Sequence, residues 1–243
     1  MVEAHASAIR SIRRFRTLAI DVGGTHLKAV VVDDGGHFLT KPVRVDTPVG
    51  SSPRAFVKTL AKLVAPLGSY DRVSVGFPGG LKNGHILTAP NLGNERWAGF
   101  DLGAALTEAL GKPVRVANDA DMQGLAVIAG KGLEMIITLG TGFGTGIYVD
   151  GRLAPHIELG RHPCRKGETY DEHVGNVARR RVGKRKWNKR VKRAIAQIRA
   201  LVNFDHLYIG GGNAKKIDFK PDPDVTIVPN TAGMAGGAGL WRD

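Results

Sequence analysis

A Gly/Thr-rich turn between two apolar strands occurs twice in this sequence. The first turn, Asp21-Val22-Gly23-Gly24-Thr25, follows the strand-like residues 17–20, and the second, residues 140–146 (GTGFGTG), follows residues 135–139. Glycine lets the main chain approach an anion closely, and successive N–H groups form an anion-binding nest. One such turn is typical of an ordinary hairpin. Two of them, the first containing an acidic residue, predict a duplicated phosphate clamp.

The two turns do not match other common phosphate-binding motifs. Each turn leads into a second apolar strand, whereas a dinucleotide fingerprint or a Walker loop leads into a helix. Neither turn contains the G-K-[ST] sequence of a Walker loop. A nucleotide site of either kind is therefore excluded at these positions.

Further motifs lie between and after the turns. Gly76-Phe77-Pro78-Gly79 ends an apolar strand, Asn118-Asp119 follows a short strand, Glu158-Leu159-Gly160 follows the second turn, and residues 207–213 read LYIGGGN. In this order the motifs resemble those of the ROK sugar kinases of the actin-like ATPase superfamily, and within that family the polyphosphate glucokinase branch. The resemblance covers roughly residues 17–240, and six motifs in the right order are far more specific than any one of them.

Alternating strand and helix signals predict an α/β fold. The resemblance implies the actin-like ATPase (ribonuclease H-like) architecture, in which two domains enclose a central cleft. We expect an N-terminal α/β domain at residues 1–118, a C-terminal α/β domain at 119–229, and a final helix at 230–243 that returns to the first domain. Domain interfaces are common places for ligand sites, so the cleft is the expected site.

Local patterns predict the individual elements. Strands are expected at residues 17–22, 27–33, 38–45, 73–77, 114–116, 135–139, 146–149, 206–209 and 225–228. Helices are expected from Pro53, at 102–110 with Asp101 as the cap, at about 120–129, and at 187–203.

Composition limits the class of protein. The single cysteine, Cys164, excludes an intrachain disulfide framework and fits a reducing cytoplasm. No stretch approaches the roughly 18 apolar residues of a membrane-spanning helix, and the N-terminus lacks the apolar core of a secretory signal. Residues 8–16 are basic and amphipathic, which indicates a solvated leader, with a transit peptide as the alternative. A cytoplasmic protein with no membrane partner is therefore expected.

The charge is concentrated in one segment. The chain carries 35 Lys and Arg against 22 Asp and Glu, and residues 179–193 (RRRVGKRKWNKRVKR) contain ten basic residues and no acidic one. Such a run indicates a polyanionic partner. Trp187, Val191 and Ile195 follow helical spacing, however, so a helix with a solvated basic face is the alternative.

The resemblance implies roles for the residues on the sugar side. Asp119 is expected to be the catalytic base on the sugar hydroxyl, and Asn118 and Glu158 are expected to bind the sugar with it. Asn91 resembles a further sugar-side asparagine of the family. Without the surrounding motifs, Asn118-Asp119 would be interpreted as a helix cap and Asn91 as a turn residue.

The resemblance also implies a donor side. The expected phosphate- or donor-binding residues are Gly23, Gly24, Thr25, Lys28, Gly140, Thr141, Gly142, Gly211 and Gly212. Asp21 is expected to hold Mg²⁺ through water, because Mg²⁺ takes few carboxylates and keeps several waters. The expected polyphosphate groove consists of Arg185, Lys186, Lys189 and Arg190. For Lys28, a solvated position on an amphipathic strand is the alternative.

Two departures from the family pattern bear on the site. Where the family usually has histidine directly after E-x-G, this chain has Arg161 and then His162, which leaves the hexose preference open. The cysteine-rich zinc motif common in ROK proteins is missing, since Cys164 is the only cysteine. His156, His162, Cys164 and His173 could form a different site, but scattered histidines are more often structural or solvated, so no zinc is predicted.

Together these inferences predict a Mg²⁺-dependent hexokinase that phosphorylates the 6-hydroxyl of glucose, with inorganic polyphosphate as the donor and ATP as a second donor left open. One alternative is a strictly ATP-dependent ROK glucokinase. Another is a non-catalytic sugar- or polyanion-binding protein such as a DNA regulator, which the short segment before the first strand and the intact Asp119 argue against. No nucleic-acid partner is expected, because Trp187 is the only aromatic residue in the basic run. The polyphosphate length and the oligomeric state, including a homodimer, stay open.

Overall fold

The computed structural model describes residues 14–90, 92–229 and 232–242. Up to residue 118 the elements are β1 (Thr17–Val22), β2 (His26–Val32), β3 (Val43–Asp46), α1 (Pro53–Val64), β4 (Arg72–Phe77), β5 (Leu81–Lys82), β6 (His85–Ile86), α2 (Asn94–Trp97), α3 (Leu102–Leu110) and β7 (Val114–Asn118).

The elements after residue 118 begin with a helix. They are α4 (Asp119–Gly124), β8 (Leu133–Leu139), β9 (Phe143–Val149), β10 (Arg152–Leu153), β11 (Pro163–Arg165), β12 (Glu168–Thr169), α5 (Tyr170–Val174), α6 (Asn176–Val202), β13 (His206–Gly210), β14 (Val225–Ile227) and α7 (Ala232–Ala235). Short 3₁₀ helices span Ala65–Leu67, Leu159–Arg161, Ala214–Lys216 and Gly236–Trp241.

Two five-stranded sheets of the same design organise the described chain. Their strand orders are β3-β2-β1-β4-β7 and β10-β9-β8-β13-β14. In the first sheet β1 and β2 form an antiparallel hairpin, and β1 also pairs in parallel with β4. In the second sheet β8 and β9 form the equivalent hairpin, and β8 pairs in parallel with β13. Each Gly/Thr turn is the loop of that hairpin. The predicted α/β class is confirmed, and the duplication extends from the turns to the whole sheet topology.

Aromatic packing fills the core beside the first sheet. The Trp97 ring lies 5.0 Å from Phe56 and 5.2 Å from Phe77, centroid to centroid. Helix α1 begins at Pro53, as predicted, and buries Phe56 and Leu60 against the sheet. Helix α3 has the predicted bounds, because Asp101 accepts a hydrogen bond from the Ala104 N–H and Gly111 ends the helix in the left-handed region.

Helix α6 packs its apolar face into the core beside the second sheet. Trp187, Val191 and Ile198 are fully buried, and the Trp187 indole N–H donates to the Val174 carbonyl at 2.7 Å. The predicted start at residue 187 is wrong, because the helix begins at Asn176 and is interrupted at Gly183, where φ is 77°. The residues before Trp187 are mostly basic and show no helical spacing of apolar side chains. The first segment of the helix therefore could not be predicted from the sequence.

Two other predicted bounds are corrected. Helix α4 ends at Gly124 rather than near residue 129, since the buried Glu134 carboxylate accepts backbone N–H groups of Ala129 and Gly130 and draws the chain out of helical geometry. Strand β3 begins at Val43 rather than residue 38. Pro42 has no N–H to give to a ladder, which limits the strand on that side.

Helix α4 lies between the two sheets and contacts both. A Cβ atom at Gly76 on β4 would lie 2.8 Å from the Met122 Cε, and one at Gly144 on β9 would lie 2.9 Å from the Ala120 Cβ. Real Cβ atoms do not approach neighbours so closely, so glycine at both positions permits the helix to fit between the sheets.

The end of the described chain lies against the first sheet. The Ser74 hydroxyl on β4 donates to the Gly237 carbonyl at 2.6 Å and accepts from the Trp241 indole at 2.8 Å. The expected single helix over 230–243 is instead α7 followed by the 3₁₀ helix, with residues 230, 231 and 243 outside the described part. Among the described residues, no helix combines the length and apolar composition needed to cross a bilayer. The division into domains at residues 1–118 and 119–229 stays a proposal.

The packing of the chain end against α4 can be tested with a single glycine-to-alanine substitution. A Cβ at Gly236 would lie 1.8 Å from the Met122 carbonyl oxygen, whereas one at Gly233 would meet nothing within 4 Å. We expect Gly236→Ala to lower the free energy of unfolding by at least about 2 kcal/mol, because backbone on both sides must move. Gly233→Ala, in the same segment, should leave chemical denaturation unchanged. Equal stability of the two variants would show that the chain end does not pack as described.

Candidate active site

A cleft of about 700 Å³ brings the two Gly/Thr turns together. The predicted residues that line it are Gly23, Gly24, Thr25, Asn118, Asp119, Gly140, Thr141, Gly142 and Glu158. These residues come from distant parts of the chain, and the duplicated sheets place both turns on one cavity. The cleft is therefore a candidate active site with a phosphate-binding wall.

The first turn is held by Thr47, a residue that no sequence motif singled out. The Thr47 hydroxyl donates to the Gly23 carbonyl at 2.6 Å, and the Thr47 N–H donates to the Thr25 carbonyl at 2.9 Å. Because these bonds occupy carbonyl groups of the turn, they fix its backbone. Thr47 lies just after β3, and no local pattern relates it to residue 23.

Asp171 has the same function at the second turn. Its Oδ1 accepts the Phe143 N–H at 2.6 Å, and the carboxylate lines the cleft. A Cβ at Gly142 would lie 2.6 Å from that oxygen, and one at Gly160 would lie 2.8 Å from it. Two glycines therefore make room for a carboxylate that orients the turn. Sequence reasoning missed Asp171.

The Asn118-Asp119 pair begins α4, at the edge of the cleft. Asn118 accepts the Ala120 N–H at 2.8 Å and donates to the Gly79 carbonyl at 3.1 Å. Asn118 is thus the N-cap of α4, which was the alternative interpretation of the Asn118-Asp119 pair. It also connects the helix to the Gly76–Gly79 turn. The side-chain oxygen and nitrogen of Asn118 can each make one further hydrogen bond. The sugar-binding role of Asn118 therefore stays a prediction.

The electrostatics of the cleft centre on Asp119. Burial raises its pKa to about 7, and the negative charge of Asp21 adds to this increase. Asp121 and Glu158 act in the same direction, whereas the Ala120 N–H opposes them. A carboxylate with a pKa near 7 can release and accept a proton at neutral pH, as a general base requires.

Asp21 lies behind the first turn, at the end of β1. Its Oδ2 pairs with the Lys28 ammonium at 3.2 Å, and neither side chain lines the cleft. Lys28 is therefore engaged with Asp21 rather than directed at the cavity. The repulsion between Asp21 and Asp119 is the kind that a divalent cation relieves, and one nearby carboxylate suits Mg²⁺, which keeps its waters. The carboxylate of Asp21 therefore fits a Mg²⁺ ion that is held through water.

The histidines considered as metal ligands have other partners. His156 pairs with Asp121, and His173 pairs with Glu168 at 2.7 Å. Within the described residues no group of three or more His, Cys, Asp or Glu side chains is arranged to hold a metal ion.

Glu158 faces the cleft opposite the turns and is supported by His156. The His156 Nδ1 lies 2.9 Å from the Asp121 Oδ2, and its Nε2 lies 3.7 Å from the Glu158 Oε2. Burial alone would lower the pKa of His156, but its two carboxylate partners outweigh burial and raise the pKa to about 10. His156 is therefore an imidazolium at neutral pH. Sequence reasoning placed it among the scattered histidines.

The departure from the family pattern lies in the cleft itself. Arg161 lines the cavity, whereas His162 is exposed and outside its lining. The position next to the E-x-G motif thus presents a guanidinium to the cleft. Asn91 lies outside the described residues, so its predicted contact with the sugar stays a prediction.

The third glycine-rich segment does not line the cleft. Gly211, at φ 85°, packs against the end of β8, where a Cβ would lie 2.5 Å from the Leu139 carbonyl oxygen. Asn213 donates its side-chain amide to the Gly140 carbonyl at 3.2 Å. Gly211 and Asn213 therefore pack against the residues that begin the second turn, and the predicted donor contact of Gly211 and Gly212 stays a prediction.

The basic run forms part of a second cavity of about 380 Å³. This basic cavity is lined by Arg165, His173, Lys186, Lys189, Arg190 and Arg193. Three of the four predicted groove residues are present, and Arg185 is outside the lining. The run is not free of acidic neighbours, since Glu168 pairs with Arg181 at 2.8 Å and Arg190 at 3.6 Å.

The unusual pKa of Asp119 gives a prediction that does not depend on function. With divalent cations removed by chelation, carboxyl-detected NMR should show Asp119 titrating at about pH 7. Asp21→Asn should lower this pKa by removing a neighbouring charge, while burial keeps it above the ordinary value. Asp33 is the internal reference: although burial works in the opposite direction, hydrogen bonds from His37 lower its pKa. A pKa of Asp119 in the ordinary range would contradict the described burial and charge arrangement.

Comparisons with known proteins agree on one family. The family model described as the ROK family matches residues 17–157. The chain is 32% identical over 235 residues to the polyphosphate glucokinase of Mycobacterium tuberculosis (strain CDC 1551 / Oshkosh), covering 90% of this chain and 88% of that protein. It is 30% identical over 241 residues to the polyphosphate glucokinase of Mycobacterium leprae (strain TN), covering 93% and 74%.

Solved structures support the same grouping. The crystal structure of inorganic polyphosphate/ATP-glucomannokinase from Arthrobacter sp. strain KM superposes with a TM-score of 0.81 at 32% identity, covering 92% of this chain and 97% of that one. A ROK family glucokinase from Streptomyces griseus has a TM-score of 0.74 at 20% identity, covering 93% and 98%, and shows the shared fold. Motifs, duplicated sheets and relatives therefore agree, and the chain belongs to the ROK family.

Proposed function

We propose that this protein is a hexokinase that transfers a phosphoryl group from inorganic polyphosphate to the 6-hydroxyl of glucose. The observation that carries the proposal is the position of Asp119, with a pKa of about 7, in one cleft with both Gly/Thr turns and with Glu158. The Mycobacterium relatives named polyphosphate glucokinase and the Arthrobacter polyphosphate/ATP-glucomannokinase support the same reaction.

The cleft residues would divide the work of phosphoryl transfer. The Asp119 carboxylate accepts the proton of the attacking sugar hydroxyl, while Glu158 accepts hydrogen bonds from other hydroxyls of the ring. Backbone N–H groups of the turns at Gly23–Thr25 and Gly140–Gly142 bind the oxygens of the terminal phosphates. Mg²⁺, held through water by Asp21, would neutralise charge on the donor phosphates.

The donor assignment rests on the basic cavity. Asp171 lines the cleft and His173 lines the basic cavity, so the two cavities lie on either side of the short helix α5. Helix α6, which carries most of the basic run, begins at the second turn, where the Asn176 N–H donates to the Gly140 carbonyl at 3.0 Å. A long polyanion with its reacting end at the turns can therefore continue along a line of cations. ATP is too short to gain much from them, so a strictly ATP-dependent enzyme is the second candidate.

The proposal extends to the setting of the enzyme. One cysteine in 243 residues fits the reducing cytoplasm, where we place the protein. Asn118 and Asn91 belong to the proposed sugar side, and Lys28, Gly211 and Gly212 to the proposed donor side. The two sheets are proposed to be the cores of the domains at residues 1–118 and 119–229.

The direct test is product formation with separate donors. Purified protein with Mg²⁺ should produce glucose 6-phosphate from long-chain polyphosphate and glucose. Parallel reactions with ATP and with mannose measure donor choice and the hexose preference that Arg161 leaves open. No sugar phosphate from either donor with several hexoses would overturn the kinase proposal, and product from ATP alone would establish the second candidate.

Replacement of the base is the first prediction for this reaction. Asp119→Asn should lower kcat with either donor by about 10²–10⁴-fold, because the amide keeps the shape of the side chain but cannot accept the proton. Glucose binding measured by calorimetry should persist. Asp101→Asn is the matched control, since Asp101 also begins a helix and accepts an N–H there but lies outside the cleft. A near-normal kcat in Asp119→Asn would leave Asp119 as a helix-starting residue only.

Removal of cations from the basic cavity is the second prediction. Lys186, Lys189 and Arg193 are exposed, so replacing all three with glutamine should leave the fold intact. The KM for long polyphosphate should rise several-fold and depend less steeply on salt, because fewer counterions are released on binding. The KM for glucose and any ATP-driven rate should not change.

A charge-matched control separates this effect from net charge. Glutamine at Arg54, Lys58 and Lys62 removes three exposed cations from α1, beside the other sheet, and should leave polyphosphate use unchanged. Arg190 is kept in both variants, because it donates to the His173 carbonyl at 3.1 Å. Equal polyphosphate KM values for the two triple variants would show that the basic cavity does not bind the donor.

A further inference from the structure

His156 lies between two carboxylates that belong to different parts of the cleft. Asp121 is on α4, two residues after Asp119, and its side chain is only 3% exposed. Glu158 begins the 3₁₀ helix Leu159–Arg161 and is 35% exposed, with one face on the cleft. The His156 ring, 12% exposed, therefore connects a buried anion on the helix of Asp119 to an accessible anion on the sugar side.

Both ends of this connection are held by strand β9. The Tyr148 hydroxyl donates to the Asp121 carbonyl at 2.7 Å, which fixes the start of α4. The Thr145 hydroxyl donates to the Ile157 carbonyl at 2.6 Å, which fixes the loop between His156 and Glu158. The backbone is fixed both at the start of α4 and at residues 156–158. The direction of the Glu158 carboxylate is therefore set by the row of side chains Asp121, His156 and Glu158.

We propose that His156 is a positioning residue for hexose binding, which as an imidazolium fixes the Glu158 carboxylate relative to the helix that carries Asp119. The inference rests on the proposed function in that Glu158 is taken to bind the hexose. His156 does not line the cleft, so it acts through Glu158 and not on the sugar.

The charges around Glu158 explain why a cation is needed there. Asp119, Asp121 and Asp171 lie near enough for Glu158 to raise their pKa values, and Arg161 is the cation on the cleft side. Without a second cation, closely spaced carboxylates would favour protonated forms, which are poorer acceptors for sugar hydroxyls. His156 supplies that charge from the buried side, and its pKa of about 10 keeps it charged through the neutral range.

The geometry also leaves room for His156 to respond to the sugar. Its Nε2 is buried, finds no hydrogen-bond partner among the described residues, and stands 3.7 Å from the Glu158 Oε2. A small rotation of Glu158 would convert this contact into a charge-assisted hydrogen bond. We expect the bond to form when Glu158 turns its other oxygen to the hexose.

The test compares KM values in variants that remove the charge. His156→Gln should raise the KM for glucose about tenfold, a size typical of coupling between neighbouring charged side chains, and change the KM for polyphosphate by less than about twofold. His37→Gln is the matched control, because His37 also pairs with an aspartate, at 3.1 Å, but on an exposed hairpin. An unchanged glucose KM in a folded His156→Gln protein would overturn the inference.

A double variant distinguishes positioning from a general structural effect. If His156 acts through Glu158, adding His156→Gln to Glu158→Gln should raise the glucose KM by less than about twofold beyond the single Glu158→Gln variant. Multiplying effects would mean that the two residues act independently and would overturn the inference. Asp121→Asn, which keeps the shape of the side chain, should reproduce the KM change and serves if His156→Gln does not fold.

Two measurements keep this inference separate from the proposed function. Nitrogen-15 NMR of the wild-type ring at mildly alkaline pH should show both His156 nitrogens protonated, and Asp121→Asn should lower the pKa of His156 by removing one of its two carboxylate partners. Glucose binding by calorimetry should weaken in His156→Gln even without a phosphoryl donor. A wild-type protein that binds glucose but forms no sugar phosphate would contradict the proposed function alone, whereas a neutral ring or unaltered binding would contradict the role of His156.

Discussion

The close fit of α4 between the two sheets is the constraint on which the cleft depends. The helix contacts β4 through Gly76 and β9 through Gly144, and the chain end covers it at Gly236. A larger residue at any of these positions would displace the helix that begins with Asp119. Because the interior is close-packed, the position of Asp119 relative to both turns is set by backbone packing more than by its own hydrogen bonds.

The local parts of this arrangement could be predicted from the sequence. The turns at residues 21–25 and 140–146, the helix cap at Asp101 and the apolar face of α6 each follow from a few adjacent residues. Thr47, Asp171 and His156 could not be predicted, because each acts on a residue 24 or more positions away or on another segment. Their chemistry is ordinary for their residue types, and only the tertiary fold brings Thr47 and Asp171 to the turns and His156 to Asp121.

The cleft and the protein as a whole differ in charge. The chain has a formal net charge of +13, yet the carboxylates of Asp119, Glu158 and Asp171 line the cleft. Burial raises the pKa of Asp119 to about 7, and the negative charges of Asp21, Asp121 and Glu158 add to this increase. The cations beside these acids are His156, which pairs with Asp121 on the buried side, and Arg161, which lines the cleft.

Helix α5 explains how the acidic cleft and the basic cavity can lie side by side. Its residues Asp171 and His173 face the cleft and the basic cavity respectively, because successive side chains of a helix point in different directions. Glu168, at the start of this segment, pairs with His173, Arg181 and Arg190, so it neutralises the cations closest to α5 and leaves Lys186, Lys189 and Arg193 without that partner. These three cations line the basic cavity, whereas the carboxylates of Asp119, Glu158 and Asp171 line the cleft. Helix α5 therefore lies between an acidic lining and a basic one, and the second Gly/Thr turn is hydrogen-bonded both to Asp171 and to the first residue of α6.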